Sequence, residues 1–264
     1  MSLRADEITA AGLHLDIVDA VATVTLSRPE VRNAQTPAMW HALAAVGAQL
    51  PDTTRVVVVR GAGHSFSAGL DRAMLDPATG DVAQLLQLDD DAISEAIDGY
   101  QQGFTWLRDP RFVSVAAVQG YAIGAGFQLA LSCDLRVVAE DAQFSMKEPA
   151  LGLVPDLTGT KPLVEAVGYQ RALELCATTR MVGAEEAVRI GLALTAVPAD
   201  QLDATVADLA QALTAQVAGA VVGTKRLLQS AAGQDLETQR RLEREAQVRR
   251  FRELAALMQG SPQD

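Results

Sequence analysis

The sequence predicts an α/β protein built on a mixed or parallel sheet, with helices dominating the last third of the chain. Three observations carry that reading. Apolar, β-branched runs at residues 56–59, 113–118 and 135–139 lack the regular polar alternation of a strand with one wet face, so they read as strands covered on both sides. The first two runs lead into glycine-containing turns at 64–71 and 120–126, where a strand ends and a helix can begin. Beyond Pro155 strand-like sequence almost disappears.

The elements follow in order. Residues 13–27 alternate and β-branch around Asp19-Ala20, which predicts a hairpin. Arg28-Pro-Glu-Val-Arg-Asn33 breaks the second strand, and Thr36-Pro37 has the form of an N-cap with proline at the first helical position, opening a helix to about Leu50. A buried strand covers 56–61. Residues 72–98 carry Asp76-Pro77, Thr79-Gly80 and the acidic run Asp89-Asp90-Asp91, a mobile or solvated segment ahead of a helix near 92–107. After the strand at 113–118 come a helix over 124–132, a strand at 135–139 and a short extended piece at 143–145. This βαβ alternation places ligands at the carboxyl ends of the strands, where both glycine turns lie. Helices are expected at 160–168, 170–178, 184–190 and 200–216, with a strand at 192–197 and one long helical segment from about 218 to 258. Mixed charges at 240–245 and 249–254 mark that last segment as solvated or subunit-facing. The chain divides on this reading into an α/β core, 1–197, and a helical region, 198–264.

At 264 residues and 49% hydrophobic composition the chain is long enough for a sizeable core. A net charge of −11 repels phosphate backbones and anionic lipid surfaces, which argues against nucleic-acid and membrane partners and leaves any anionic small molecule in need of a local basic patch. Two cysteines, Cys133 and Cys176, show no disulfide or metal-ligand spacing, and His14, His41 and His64 are equally unclustered. No metal site is expected. The acidic N-terminus lacks a signal-like apolar stretch, and the cytoplasm is the default expectation.

The two turns also suggest chemistry. Each presents backbone N–H groups at a strand end, and two such donors converging on one point make an oxyanion hole. At Ser27-Arg-Pro-Glu-Val-Arg-Asn-Ala34, Phe66-Ser-Ala-Gly-Leu-Asp71, Gln119-Gly-Tyr-Ala-Ile-Gly-Ala-Gly126, Cys133-Asp134 and Lys147-Glu-Pro-Ala-Leu-Gly-Leu-Val-Pro-Asp156 the chain resembles the crotonase superfamily, the enoyl-CoA hydratase/isomerase family. The resemblance extends through 171–175 and 183–192 to about residue 230. It implies a crotonase-like spiral of ββα units, and a C-terminal helical region that builds trimers or dimers of trimers. It also implies acyl-CoA thioester substrates and a stabilised enolate, with CoA entering as part of the substrate and no separate cofactor. By position, the oxyanion donors would be the amides of Ala68 and Ala125, with Gly69, Leu70, Asp71 and Gly124 lining the thioester site.

Relatives present two glutamates across the pocket; here the first position falls on Gln128 and the second on Glu148. Glutamine can hydrogen-bond water but cannot take its proton, whereas Glu148 lies in an apolar stretch where burial would raise its pKa toward a useful range. Glu148 is the main catalytic expectation, against a salt bridge with Lys147. Asp156 is either a second proton carrier or an N-cap for a helix starting near Thr158. Gln128 either holds a water or satisfies a neighbouring backbone group. Arg28 and Arg32 are candidate partners for the CoA phosphates, Ala34 offers backbone contacts to adenine or pantetheine, and Lys225 is a further basic candidate. One carboxylate suits double-bond isomerisation better than hydration. Thioester hydrolysis, C–C cleavage and acyl-CoA binding without turnover are the alternatives.

Overall fold

The computed structural model describes residues 4–260. A short helix, α1 (Ala5–Ala10), precedes the hairpin of β1 (Leu13–Val18) and β2 (Val21–Leu26), with Asp19 in the left-handed region at the turn. Thr36 caps α2 (Pro37–Gln49) through its hydroxyl, which accepts from the Met39 amide, and Pro37 stands at the first helical position as its fixed φ favours. β3 (Val56–Gly61) follows. The segment expected to be solvated contains a 3-10 turn over Arg72–Leu75 and a short helix, α3 (Asp81–Leu85). The acidic run opens the next helix: Asp89 caps α4 (Asp90–Thr105), and Asp90 and Asp91 fill its first turn, where the helix dipole favours negative charge.

β4 (Val113–Val118), β5 (Tyr121–Ile123), α5 (Ala125–Ser132), β6 (Leu135–Ala139) and β7 (Gln143–Ser145) come next. The C-terminal part contains α6 (Thr160–Val167), α7 (Tyr169–Thr178), β8 (Val182–Gly183), α8 (Ala184–Arg189), β9 (Thr195–Val197), α9 (Leu202–Thr214), α10 (Ala218–Ala231) and α11 (Leu236–Gly260). The long helical segment expected from 218 is therefore two helices, separated at Gly233 and the cap-forming Asp235.

One sheet has the order β1-β2-β3-β4-β6-β9, antiparallel only at its first pair; the other is β5-β7-β8. Alternate residues of the central strands serve two cores. Val57, Val59, Ala116, Val118 and Val138 face the main core with α2 and α5, while Val56, Val58, Val115, Ala117 and Val137 face Leu202, Val206 and Ala210 of α9. Both faces are covered, which is why these strands are apolar throughout. α9, just beyond the expected division at 197/198, covers the sheet's second face.

Candidate functional site

β3 and β4 are parallel neighbours, so the chain leaves both at the same edge and the two glycine turns meet there. The Phe66 amide donates to Gln119 O at 2.8 Å, the Ser67 amide to Tyr121 O at 2.8 Å, and the Ile123 amide back to Ser67 O at 3.0 Å. Gly69, at φ +93°, is packed so tightly that a Cβ would lie 2.5 Å from Ile123 O and 3.6 Å from the Ala125 nitrogen. Only glycine combines that φ with that approach. A buried polar network absent from the sequence reading fixes the first turn. Ser67 Oγ donates to Asn33 O, Gln35 Nε2 donates to Ser67 Oγ, and Trp40 Nε1 donates to Gln35 Oε1. Its sequence signal is faint: two amide side chains, Asn33 and Gln35, flanking Ala34 just ahead of a helix.

Ala125 is the first residue of the fully buried α5, and its amide has no partner among the described residues. Gly124 turns the chain into this helix at φ 51°, ψ −119°. Ala68 corrects the expectation of two free donors. Its amide donates to Arg32 O at 2.8 Å. Arg32 and Asn33 both sit in the left-handed region, at φ 52° and 55°, and this double turn brings the Arg32 carbonyl against the first glycine turn. The Gly69 amide is likewise engaged, by Ser67 Oγ at 3.2 Å.

β7 pairs with β5 and delivers Glu148 to the same place. The Gly124 amide donates to Ser145 O at 2.8 Å, and a Cβ on Gly124 would lie 3.2 Å from Glu148 Oε1. Glu148 is 9% exposed. Its Oε1 accepts from Gln128 Nε2 at 2.7 Å, while Oε2 is buried without a hydrogen-bond partner among the described residues. Burial pushes this carboxyl above the ordinary glutamate range, and the nearby Asp156 charge adds to the push. The salt bridge with Lys147 does not form, because Lys147 Nζ donates to Thr179 O at 2.8 Å.

Gln128 is fully buried, and its Oε1 accepts the amides of Leu157 at 2.9 Å and Gly159 at 3.2 Å. Of the two alternatives for Gln128 the backbone contact is the one seen: its oxygen serves two backbone donors, and one hydrogen of its nitrogen serves Glu148. Asp156 does not cap α6, whose N-cap is Gly159. Burial raises its carboxyl too, and its backbone carbonyl accepts from Gln101 Nε2 of α4 at 2.7 Å.

The basic candidates divide. Arg28 is consumed internally, with Nη2 2.9 Å from Asp71 Oδ2 and Nη1 donating to Ala34 O at 2.7 Å. That contact also occupies the Ala34 carbonyl, while the Ala34 amide donates to Val31 O, so Ala34's polar backbone faces the protein rather than a ligand. Asp71 pairs with Arg28, and Leu70 is partly buried on the main core. Lys225 is buried in an internal ion pair. Of the three basic candidates Arg32 alone keeps its charged group at the surface, its guanidinium 5.5 Å from the Tyr121 ring centroid. Among the described residues no three His, Cys, Asp or Glu side chains converge as a metal site would.

The sequence profile described as enoyl-CoA hydratase/isomerase matches residues 16–258. The chain belongs to that family. This family member is 33% identical to the (E)-benzylidenesuccinyl-CoA hydratase of Thauera aromatica over 78% of its own length and 76% of the relative. It is 33% identical to the mitochondrial Delta(3,5)-Delta(2,4)-dienoyl-CoA isomerase of Mus musculus over 70% of its own length and 56% of that protein. A candidate enoyl-CoA hydratase from Thermobifida fusca YX, solved in complex with CoA, superposes with a TM-score of 0.91 at 50% identity, over 97% of this chain and 99% of that one. A candidate enoyl-CoA hydratase from Thermobifida fusca YX solved in complex with acetoacetyl-CoA superposes equally well, with a TM-score of 0.91 at 49% identity over 96% of this chain and 100% of that one. The fold is crotonase-like, and the hydratase and isomerase relatives make this an enzyme of the hydratase/isomerase family.

Proposed function

We propose that this family member isomerises the double bond of an enoyl-CoA thioester, with Glu148 moving the proton. The observation that carries the reading is Glu148 Oε2, a buried carboxylate oxygen without a partner beside the N-terminus of α5. A 3-enoyl thioester bound there loses a C2 proton to this oxygen. The C–H electrons form the dienolate, whose oxygen takes the negative charge. The Ala125 amide and the α5 dipole stabilise that charge, a donor of this kind contributing about 3–4 kcal/mol. Delivering that same proton to C4, from Glu148 directly or by way of Asp156, gives the 2-enoyl thioester and restores the Glu148 carboxylate. Hydration fits less well, since Gln128 has no lone pair free for water.

CoA enters as part of the substrate, its phosphates meeting Arg32, and no further cofactor is required. Exposed Tyr169 and Leu173 on α7 and Val248 and Phe251 on α11 support assembly into a homotrimer or a dimer of trimers. The net charge of −11 supports a protein without nucleic-acid or membrane partners.

One observation favours a second reading, acyl-CoA binding without turnover: the Ala68 amide is held by Arg32 O, so a thioester oxygen gains that donor only by displacing the carbonyl. Incubation with crotonyl-CoA, a 3-enoyl-CoA and a 3,5-dienoyl-CoA in deuterated water, followed by mass spectrometry, separates the two. Isomerised, deuterated product that falls at least about 100-fold in Glu148→Gln supports proton transfer. Asp156→Asn should lower it less if Asp156 only returns the proton. A Glu148→Gln protein at wild-type rate, or wild-type binding with no turnover on any of the three, removes the isomerase assignment.

A further inference from the structure

We propose that Gln128 is a positioning residue, a carboxamide clamp that ties the loop carrying Asp156 to Glu148 and leaves Glu148 one free oxygen for the proton. The proposal rests on the reading of Glu148 as the proton carrier.

The orientation of the carboxamide is dictated by its partners. Its oxygen faces two backbone donors, Leu157 and Gly159, so its nitrogen must face the carboxylate oxygen of Glu148, 2.7 Å away. The side chain stands on α5, where the Gln128 amide makes the first helical hydrogen bond, to Gly124 O at 2.9 Å. The clamp therefore hangs from the same helix whose N-terminal amide faces the site. Its grip is close: a Cβ on Gly159 would lie 2.7 Å from Gln128 Cγ, so residue 159 has room only for glycine. Asp156 is bracketed as a result. The next residue is anchored by Gln128 and its own carbonyl by Gln101.

No other ordinary side chain of this length offers an acceptor to two amides and a permanent donor to a carboxylate. A glutamate at 128 would keep the contact with Leu157 and Gly159 but would set a second acceptor against Glu148 Oε1. The two carboxyls would then share one proton and titrate as a pair. The groups facing Glu148 from the packed elements are the Asp156 carboxyl, ahead of α6, and the Cys176 thiol of α7, while the Lys147 ammonium is turned away onto Thr179 O. None of these is hydrogen-bonded to Glu148, whose one side-chain donor is Gln128.

The test uses Gln128→Met, which keeps the length and loses all three side-chain hydrogen bonds, and Gln128→Glu, which keeps shape and reverses the donor. Two measurements are made: the pH profile of 3-enoyl-CoA isomerisation, and infrared titration of the buried carboxyl band, assigned to Glu148 by its absence in Glu148→Gln. Gln128→Met is expected to lower kcat about tenfold or more with KM little changed, because Glu148 remains but is no longer aimed. Gln128→Glu is expected to move both the acid limb of the profile and the infrared midpoint to higher pH. If both midpoints in Gln128→Glu coincide with wild type, or if Gln128→Met keeps its kcat, the clamp is overturned. A wild type inert on enoyl-CoAs whose infrared midpoint still moves in Gln128→Glu sinks the isomerase reading and keeps the clamp. Should Gln128→Met not fold, the near-isosteric Gln128→Glu decides by its infrared midpoint alone.

Discussion

Glu148 and Lys225 are both charged residues buried to the same degree, 9% and 8% exposed, yet they do opposite things. All three Lys225 protons are used, on Asp109 O and Phe112 O at 2.7 Å and on Asp134 Oδ2 at 2.6 Å. Asp134 Oδ2 also accepts from the amide and hydroxyl of Ser114 at 2.8 and 3.0 Å. This is a fastener that joins α10 to β4 and to the end of α5. Glu148 has a single side-chain partner on Oε1 and none on Oε2. A buried charge with every valence met holds the fold. One left a bond short leaves an oxygen open to a proton, and burial raises its pKa.

The largest expected effect breaks the fastener. Lys225→Met strands the Asp134 carboxylate and should cost about 3–5 kcal/mol in denaturant unfolding, with much of the loss recovered when Asp134→Leu is added. Glu148→Gln should cost less than about 1 kcal/mol at neutral pH, because an unpartnered charge is removed. Equal losses for Lys225→Met and Glu148→Gln would erase the distinction.

The pH dependence of stability sharpens it. Because burial holds the folded Glu148 carboxyl above the ordinary value of 4.5, the folded chain binds that proton more tightly than the unfolded chain. Its contribution to stability is complete below pH 4.5 and is lost as pH rises through the raised folded value. Thermal melts should therefore show wild type falling relative to Glu148→Gln on going up from pH 4.5, by no more than about 1.4 kcal/mol per pH unit. A difference that is flat with pH, or opposite in sign, contradicts the raised carboxyl. The smallest effect belongs to a half-exposed pair. Asp71→Asn breaks the 2.9 Å contact with Arg28, whose side chains keep 27% and 20% exposure, and should cost about 0.2–1 kcal/mol, less in high salt.

Much of the fold was legible along the chain. The hairpin, the Thr36 cap and the central strands are local patterns of period, branching and capping, so neighbouring residues suffice to read them. The burial of Glu148 was legible as well, through its apolar neighbours. The short strands β5 and β8 were not, because three and two residues carry too little periodicity. Gln128 was read as an open choice between water and backbone, and its three partners lie 20, 29 and 31 residues away.

By itself, then, the sequence determined the α/β class, the edge at which two glycine turns emerge and a carboxyl set in apolar sequence, since strand period and turn chemistry act over a few residues. Tertiary structure alone decided which polar groups remain free there. The Ala68 amide is closed by Arg32, Arg28 is spent on Asp71, and Lys225 reaches Asp134 across 91 residues. A donor's availability depends on what the fold places against it, and in each of these cases that partner lies on a different element of the chain.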